Sequence, residues 1–231
     1  MDLSNADFTD SRLANLTVTG TDLTGATLTG VWSSGITGTP AALPQNWSLR
    51  GGYLLGPGAS LPQGADLSSQ DLSGLTLTGI DLTMAFLKGA DLSGTDLTKA
   101  ILNNANLTGA DLSGATLDQV QSTGIQGPPS ALPTNWSLQG GYLIGPGADL
   151  HGATLNSLQL SGADLAGADL ASAYLVSANL ANANLAGVDL TSTWLSSATL
   201  TGASLRNAKL IGTVFSNSDL TGADLLPSHC R

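Results

Sequence analysis

Ala105-Asn106-Leu107-Thr108-Gly109-Ala110-Asp111-Leu112-Ser113-Gly114 is one five-residue phrase written twice. A small apolar residue comes first and Asp or Asn second. Leu stands at the centre, Ser or Thr follows, and Gly, Asn or Ser closes the phrase. Outward from this stretch the central Leu recurs every fifth residue from Leu67 to Leu117. The same beat runs from Leu3 to Leu28, with Phe8 and Val18 as variants, and from Leu150 to Leu225, with Phe215 as the one replacement. A period of five suits neither regular element. On an α-helix these leucines would scatter around the circumference, and on a flat strand they would alternate faces. A chain that turns a corner every five residues can keep them all inward. Four corners close a coil of about twenty residues, each coil pairing with the next at ~4.8 Å.

The residue before each centre fits that reading, because Asp and Asn side chains accept bonds from nearby backbone amides in turns. Fifteen of the seventeen aspartates occupy this slot, Asp10 and Asp118 being the exceptions, and the chain has no Glu. The expected core is the axial leucines, among them Leu92, Leu97, Leu107, Leu112, Leu165, Leu170, Leu180 and Leu185. Each is worth ~1.5–3 kcal/mol on burial before entropy is subtracted, so the row can hold a fold with 4% aromatic residues.

Phrases such as Ala110-Asp111-Leu112-Ser113-Gly114 resemble the pentapeptide-repeat family, whose consensus is Ala-(Asp/Asn)-Leu-x-x. The resemblance implies an all-β fold: a right-handed quadrilateral β-helix, or solenoid, with about twenty residues per coil. It covers all but two inserts and a short tail. The expected organisation is a single solenoid domain over 1–231, with repeat blocks 1–30, 61–119 and 148–226, inserts 31–60 and 120–149, and a tail 227–231.

The inserts are near copies, related by a shift of 89 residues. Both carry Ala-Leu-Pro-x-Asn-Trp-Ser-Leu-x-Gly-Gly-Tyr-Leu-x-Gly-Pro-Gly-Ala. Gly51-Gly52 and Gly140-Gly141, between short apolar runs, read as two-residue hairpin turns, and Pro57 and Pro146 mark where pairing ends. Their aromatics Trp47, Tyr53, Trp136 and Tyr142 either staple each hairpin to the solenoid wall or project as recognition elements. Asn46 and Asn135 also open Asn-Trp-Ser sequons, which read as coincidence without an export signal.

Catalytic chemistry has little to draw on. His151 and His229 are the only histidines and Cys230 the only cysteine, so no disulfide framework or thiolate zinc site is expected, and neither cofactor nor metal. His229 and Cys230, neighbours near the end of the chain, read as incidental. An enzyme is not expected, for want of a nucleophile–base constellation. The net charge of −10 argues against direct nucleic-acid binding, which needs a basic footprint. No membrane span or signal peptide is visible. The expected compartment is the cytoplasm, unless a natural precursor carried a trimmed export signal.

The slot is violated in one ordered way. Tyr174, Trp194 and Val214 replace Asp or Asn at twenty-residue intervals, which would set them in one outward-facing column. Such a stripe either stacks on itself or under the second insert, or offers an apolar contact site. Phe86 and Ile101 break the slot on other faces and look isolated.

The function expected is a structural, scaffolding solenoid that makes protein–protein contacts. No capping helix is evident, so self-association through the coil ends is expected, as a closed dimer or an end-to-end filament. The resemblance also implies an alternative, because some family members mimic DNA and modulate the type II topoisomerase DNA gyrase. The dimerisation helix expected of those members is missing here.

Overall fold

Every fifth residue, the backbone of this chain folds back on itself. In the computed structural model, which describes residues 1–226, the amide three residues past most centres donates to the centre's carbonyl, as Ala100 N–H does to Leu97 O at 2.9 Å. The residue between them on the far side of the turn has positive φ, +60° at Lys99 and +62° at Gly94. That is the type II turn, which demands a left-handed residue at its third position. The fifth letter of the phrase is therefore Gly, or Asn and Ser, which tolerate that conformation at moderate cost.

Between turns the chain pairs in parallel with the residue twenty positions on: Asp71 with Asp91 and Asp111, and Asp149 with Asp169 and Asp189. These are single bridges more than extended strands. Six short strands rise above them: β1 (Arg12–Ala14), β2 (Trp32–Ser34), β3 (Ser48–Arg50), β4 (Tyr53–Leu55), β5 (Ser137–Gln139) and β6 (Tyr142–Ile144). β1 and β2 pair in parallel, Leu13 opposite Ser33. No helix occurs among the described residues, and none is long and apolar enough to cross a membrane.

Both inserts contain an antiparallel hairpin. β3 pairs with β4 and β5 with β6, Arg50 facing Tyr53 and Gln139 facing Tyr142. Gly51 and Gly52 have φ of +56° and +82°, and Gly140 and Gly141 the same two values. Two successive positive φ angles are what a primed two-residue turn requires, and glycine supplies them without a Cβ penalty. The parallel ladder runs on around each hairpin. Trp32 pairs with Ser60 and Gln121 with Asp149, twenty-eight residues on in place of twenty. An insert is thus a lengthened coil whose surplus is folded into a hairpin.

The chain's contacts gather into two compact units. The first holds Met1–Leu117 with Ile125–Pro133, and the second Asp118–Gly124 with the chain from Thr134 onward. In the first, Leu92, Leu97, Leu107 and Leu112 are fully buried; in the second, so are Leu165, Leu170, Leu180 and Leu185. Alanines such as Ala90, Ala110, Ala168 and Ala178 fill the inward place two residues before a centre. Where Thr stands there instead, its hydroxyl donates back to a neighbouring coil: Thr193 Oγ1 to Leu170 O at 2.7 Å, and Thr95 Oγ1 to Leu72 O at 3.0 Å. No buried side-chain polar atom among the described residues lacks a partner.

Candidate functional site

The slot before each centre points outward, and its usual occupant serves its own turn. Asp Oδ1 accepts the amide two residues on: Ser113 N–H donates to Asp111 at 2.8 Å, Ala171 N–H to Asp169 at 2.9 Å, and Thr191 N–H to Asp189 at 2.9 Å. The bonded form is the ionised one, so the carboxyls of Asp66 and Asp111, held chiefly by the amides of Ser68 and Ser113, lie below the usual range. The Thr191 hydroxyl and amide, aided by Lys209, pull Asp189 down to about 2. Lys209 Nζ reaches Asp189 Oδ2 at 3.0 Å from the same column of the next coil. Each Asp so engaged spends one oxygen on local structure and keeps the other at the surface.

The column Thr154–Tyr174–Trp194–Val214 gives up this local bonding for apolar surface. Successive members are bridged partners. Tyr174 and Trp194 stack with ring centroids 6.5 Å apart and planes inclined by 16°. They remain 47% and 46% exposed, and Val214 is half-buried. The stripe thus stacks on itself and also offers apolar area, since only one face of each ring is consumed.

The insert aromatics lie against the coils. Trp47 packs beside Leu28, Val31 and Leu54, and Trp136 and Tyr142 pack on the core of the second unit. A Cβ on Gly56 would run into the Trp47 ring, and one on Gly145 into the Trp136 ring, so these glycines make room for the indoles. Tyr53 Oη accepts the Asp66 amide and Tyr142 Oη the Thr154 amide, both at 3.2 Å. Ser33 Oγ accepts the buried Leu54 amide at 2.8 Å, and Ser122 Oγ the buried Leu143 amide at 2.9 Å. Trp32 carries the Arg12 guanidinium 4.4 Å above its ring.

Phe86, read from sequence as isolated, has the polar residues Asp66 and Asn106 as its ladder neighbours. Asp66, which caps the Tyr53 hydroxyl, is the ladder neighbour of Phe86, as Thr154, which caps Tyr142, is the neighbour of Tyr174. Phe86, 48% exposed beside the exposed Met84, is thus the counterpart of Tyr174 in the other unit. Aligning the two hairpins while allowing one extra residue after the first (Leu61 to Leu67 against Leu150 to Leu155) would have revealed it. Ile101 lies in another column, with Asp81.

His151 is exposed and its amide donates to Asp149; His229 and Cys230 lie outside the described residues. Among the described residues no three His, Cys, Asp or Glu side chains gather to hold a metal.

Eight copies of the pentapeptide-repeat model match the chain, over residues 1–31, 63–98, 85–121, 146–170, 163–202 and 198–226. Among solved structures, the chain is similar to HetL of Nostoc sp. strain PCC 7120, a pentapeptide repeat protein involved in heterocyst differentiation regulation. The identity is 27% over 99% of this chain and 91% of that one, with a TM-score of 0.32. It is similar to QnrB1, a plasmid-mediated fluoroquinolone resistance protein, at 20% identity over 97% and 86%, with a TM-score of 0.33. A pentapeptide repeat protein of the Arabidopsis thaliana thylakoid lumen matches at 27% identity over 63% and 68%, with a TM-score of 0.22. No curated protein matches the chain significantly.

Proposed function

The chain belongs to the pentapeptide-repeat family, and from that premise we propose that it is a right-handed, four-sided β-solenoid working as a non-catalytic scaffold for protein–protein contacts, its own copies first among them. The observation that carries this is the state of the terminal coils. Interior centres such as Leu97 and Leu185 are fully buried, whereas Leu3, Phe8 and Leu13 in the first coil and Leu210, Phe215 and Leu220 in the last are only half covered. Met1 and Ile211 beside them are 76% and 74% exposed. Exposed apolar surface of this kind is a contact surface for another protein chain. The Tyr174–Trp194–Val214 stripe supplies a second, lateral contact surface. The reading needs no cofactor, and a single cysteine suits the reducing cytoplasm. Light scattering over a concentration series, with stain imaging of the same samples, tests it. Growth into dimers or fibres is expected, and a monodisperse monomer at high concentration would refute it.

The aspartate columns favour a second reading. Asp71–Asp91–Asp111 and Asp149–Asp169–Asp189 set aspartates at ladder spacing along a wall, acidic residues of the sign of a DNA backbone. On that reading the protein is a DNA-mimicking modulator of DNA gyrase. A supercoiling assay decides: no effect at micromolar protein eliminates it.

A further inference from the structure

We propose that the cleft around Phe86 binds a neutral saccharide, the Phe86 ring and Met84 meeting its C–H face and side-chain carboxamides meeting its hydroxyls. Two residues there break the local rules of the repeat. The slot before a centre usually holds Asp or Asn and accepts the amide two residues on, as Asp81 does for Thr83 and Asp91 for Ser93, both at 2.9 Å. Phe86 gives up that bond and leaves its ring 48% exposed. Met84 takes the left-handed place in the preceding turn, with φ of +61°, and stands 47% exposed. Gly, Asn or Ser holds that place in most turns, at lower conformational cost. Both departures cost local stability, and neither side chain is buried in return. Local rules broken together, with no gain in packing, point to a functional site.

The two side chains share a cleft of about 400 Å³ with Gln63, Gly64, Asn104, Asn106 and Gln126, all within the first compact unit. Clefts that hold small molecules run from ~300 to ~1,000 Å³. Phe86, Asn106 and Gln126 are successive members of one outward column, stepping at ~4.8 Å. Phe86 Cε2 is 3.7 Å from where a Gly64 Cβ would stand, so the ring lies across the bare glycine. The side chains of Gln63, Asn104 and Gln126 have no hydrogen-bond partner among the described residues. Asn106 spends only its carbonyl, on the Thr108 amide and hydroxyl, and keeps its NH2 free. Carboxamides both donate and accept, as sugar hydroxyls do, so the two can pair in either sense. No charged side chain lines the cleft. A cationic ligand would find no carboxylate there, and an anionic one, such as a nucleotide, would meet a chain of net charge −10. The ligand that fits is uncharged, rich in hydroxyls and apolar on one face. A saccharide is all three: its C–H bonds point positive hydrogens at the negative face of an aromatic ring, and the Met84 thioether extends that apolar floor. Binding of this kind stands apart from self-association and needs neither coil end.

The test reads Phe86 itself. The chain has three phenylalanines, Phe8, Phe86 and Phe215, so the full chain grown with fluorophenylalanine gives three fluorine NMR signals. The Phe86 signal is the one lost in Phe86→Asn, a substitution that restores the usual residue of the slot. Unmoved Phe8 and Phe215 signals then report that the fold is kept. Maltose, cellobiose, lactose and diacetylchitobiose are titrated in turn. At least one is expected to shift the Phe86 signal alone, with a Kd of about 1 mM, as an open cleft with few contacts allows. Saturation transfer from protein to that sugar should vanish in Phe86→Asn. Asn104→Ser places a residue that the left-handed position accepts at Ser69, and should weaken binding about three- to tenfold, the worth of one hydrogen bond. Gln126→Thr should do the same. No Phe86 shift with any of the four sugars, well above that concentration, would overturn the proposal. So would equal movement of all three signals, or undiminished transfer in Phe86→Asn. A Phe86 shift with adenosine and with no sugar would overturn the ligand class.

Discussion

Each hairpin is tied to the coils by a buried serine hydroxyl, which makes a sharp prediction. Leu54 stands opposite Leu49 in a non-bonded pair of the hairpin, so its amide points away from the partner strand, and the buried Ser33 Oγ accepts it at 2.8 Å. Ser122 does the same for Leu143 at 2.9 Å. In Ser122→Ala the volume hardly changes and Leu143, fully buried, keeps its packing, but its amide is left in the core without a partner. A buried orphaned donor costs about 1–3 kcal/mol, against about 1 kcal/mol for the net worth of an ordinary bond. The expected loss is therefore about 2 kcal/mol, or roughly 4–8 °C in Tm for a chain of this size. Urea unfolding followed by tryptophan fluorescence reads the stability, and native-state hydrogen exchange reads the Leu143 amide directly. Loss of protection at Leu143 and Ile144 ahead of the distant coils is expected, with the corresponding result at Leu54 for Ser33→Ala. If both variants match the parent within about 0.5 kcal/mol and the amides stay protected, the hydroxyl is not the anchor and the reasoning fails.

Three further outcomes follow from the same geometry. Leu107→Ala, at a fully buried axial position, should cost about 3–5 kcal/mol by denaturant unfolding, because a stack of coils has little freedom to collapse into the cavity. Lys99→Gly should stabilise by up to about 1 kcal/mol, since Lys99 has φ of +60° in a turn that glycine occupies without strain. Acid should unfold the protein in a defined window. Asp189 binds its proton near pH 2 when folded and near 3.8 when unfolded, so its contribution is fully present above pH 3.8 and is lost as pH falls toward 2. The slot aspartates Asp7, Asp22 and Asp219, lowered by their turn bonds, act in the same direction. A pH titration of the unfolding midpoint checks this, and midpoint stability that rises on acidification through that window would contradict it.

What the sequence by itself determined is everything written within one five-residue turn. The Leu beat, the inward Ala and the Asp or Asn that accepts an amide two residues on are local interactions, repeated often enough to be legible without a fold. The Gly-Gly pairs likewise announced their hairpins, because a primed turn needs two left-handed residues in succession. Even the left-handed demand was present as the Gly, Asn and Ser of the fifth position, although its cause, a type II turn closed on the central carbonyl, became plain only from the backbone. What tertiary structure alone decided is every relation across coils. Ser33 and Ser122 are unremarkable serines until a hairpin twenty-one residues on brings an amide to each. That Phe86 is the counterpart of Tyr174 shows only through their ladder neighbours Asp66 and Thr154, whose amides donate to the Tyr53 and Tyr142 hydroxyls. The tryptophans' choice between lying down and projecting depended on the space left at Gly56 and Gly145, which no single phrase records. A repeat states its own corner completely; which corners meet depends on how many residues each coil takes, and two coils here take twenty-eight.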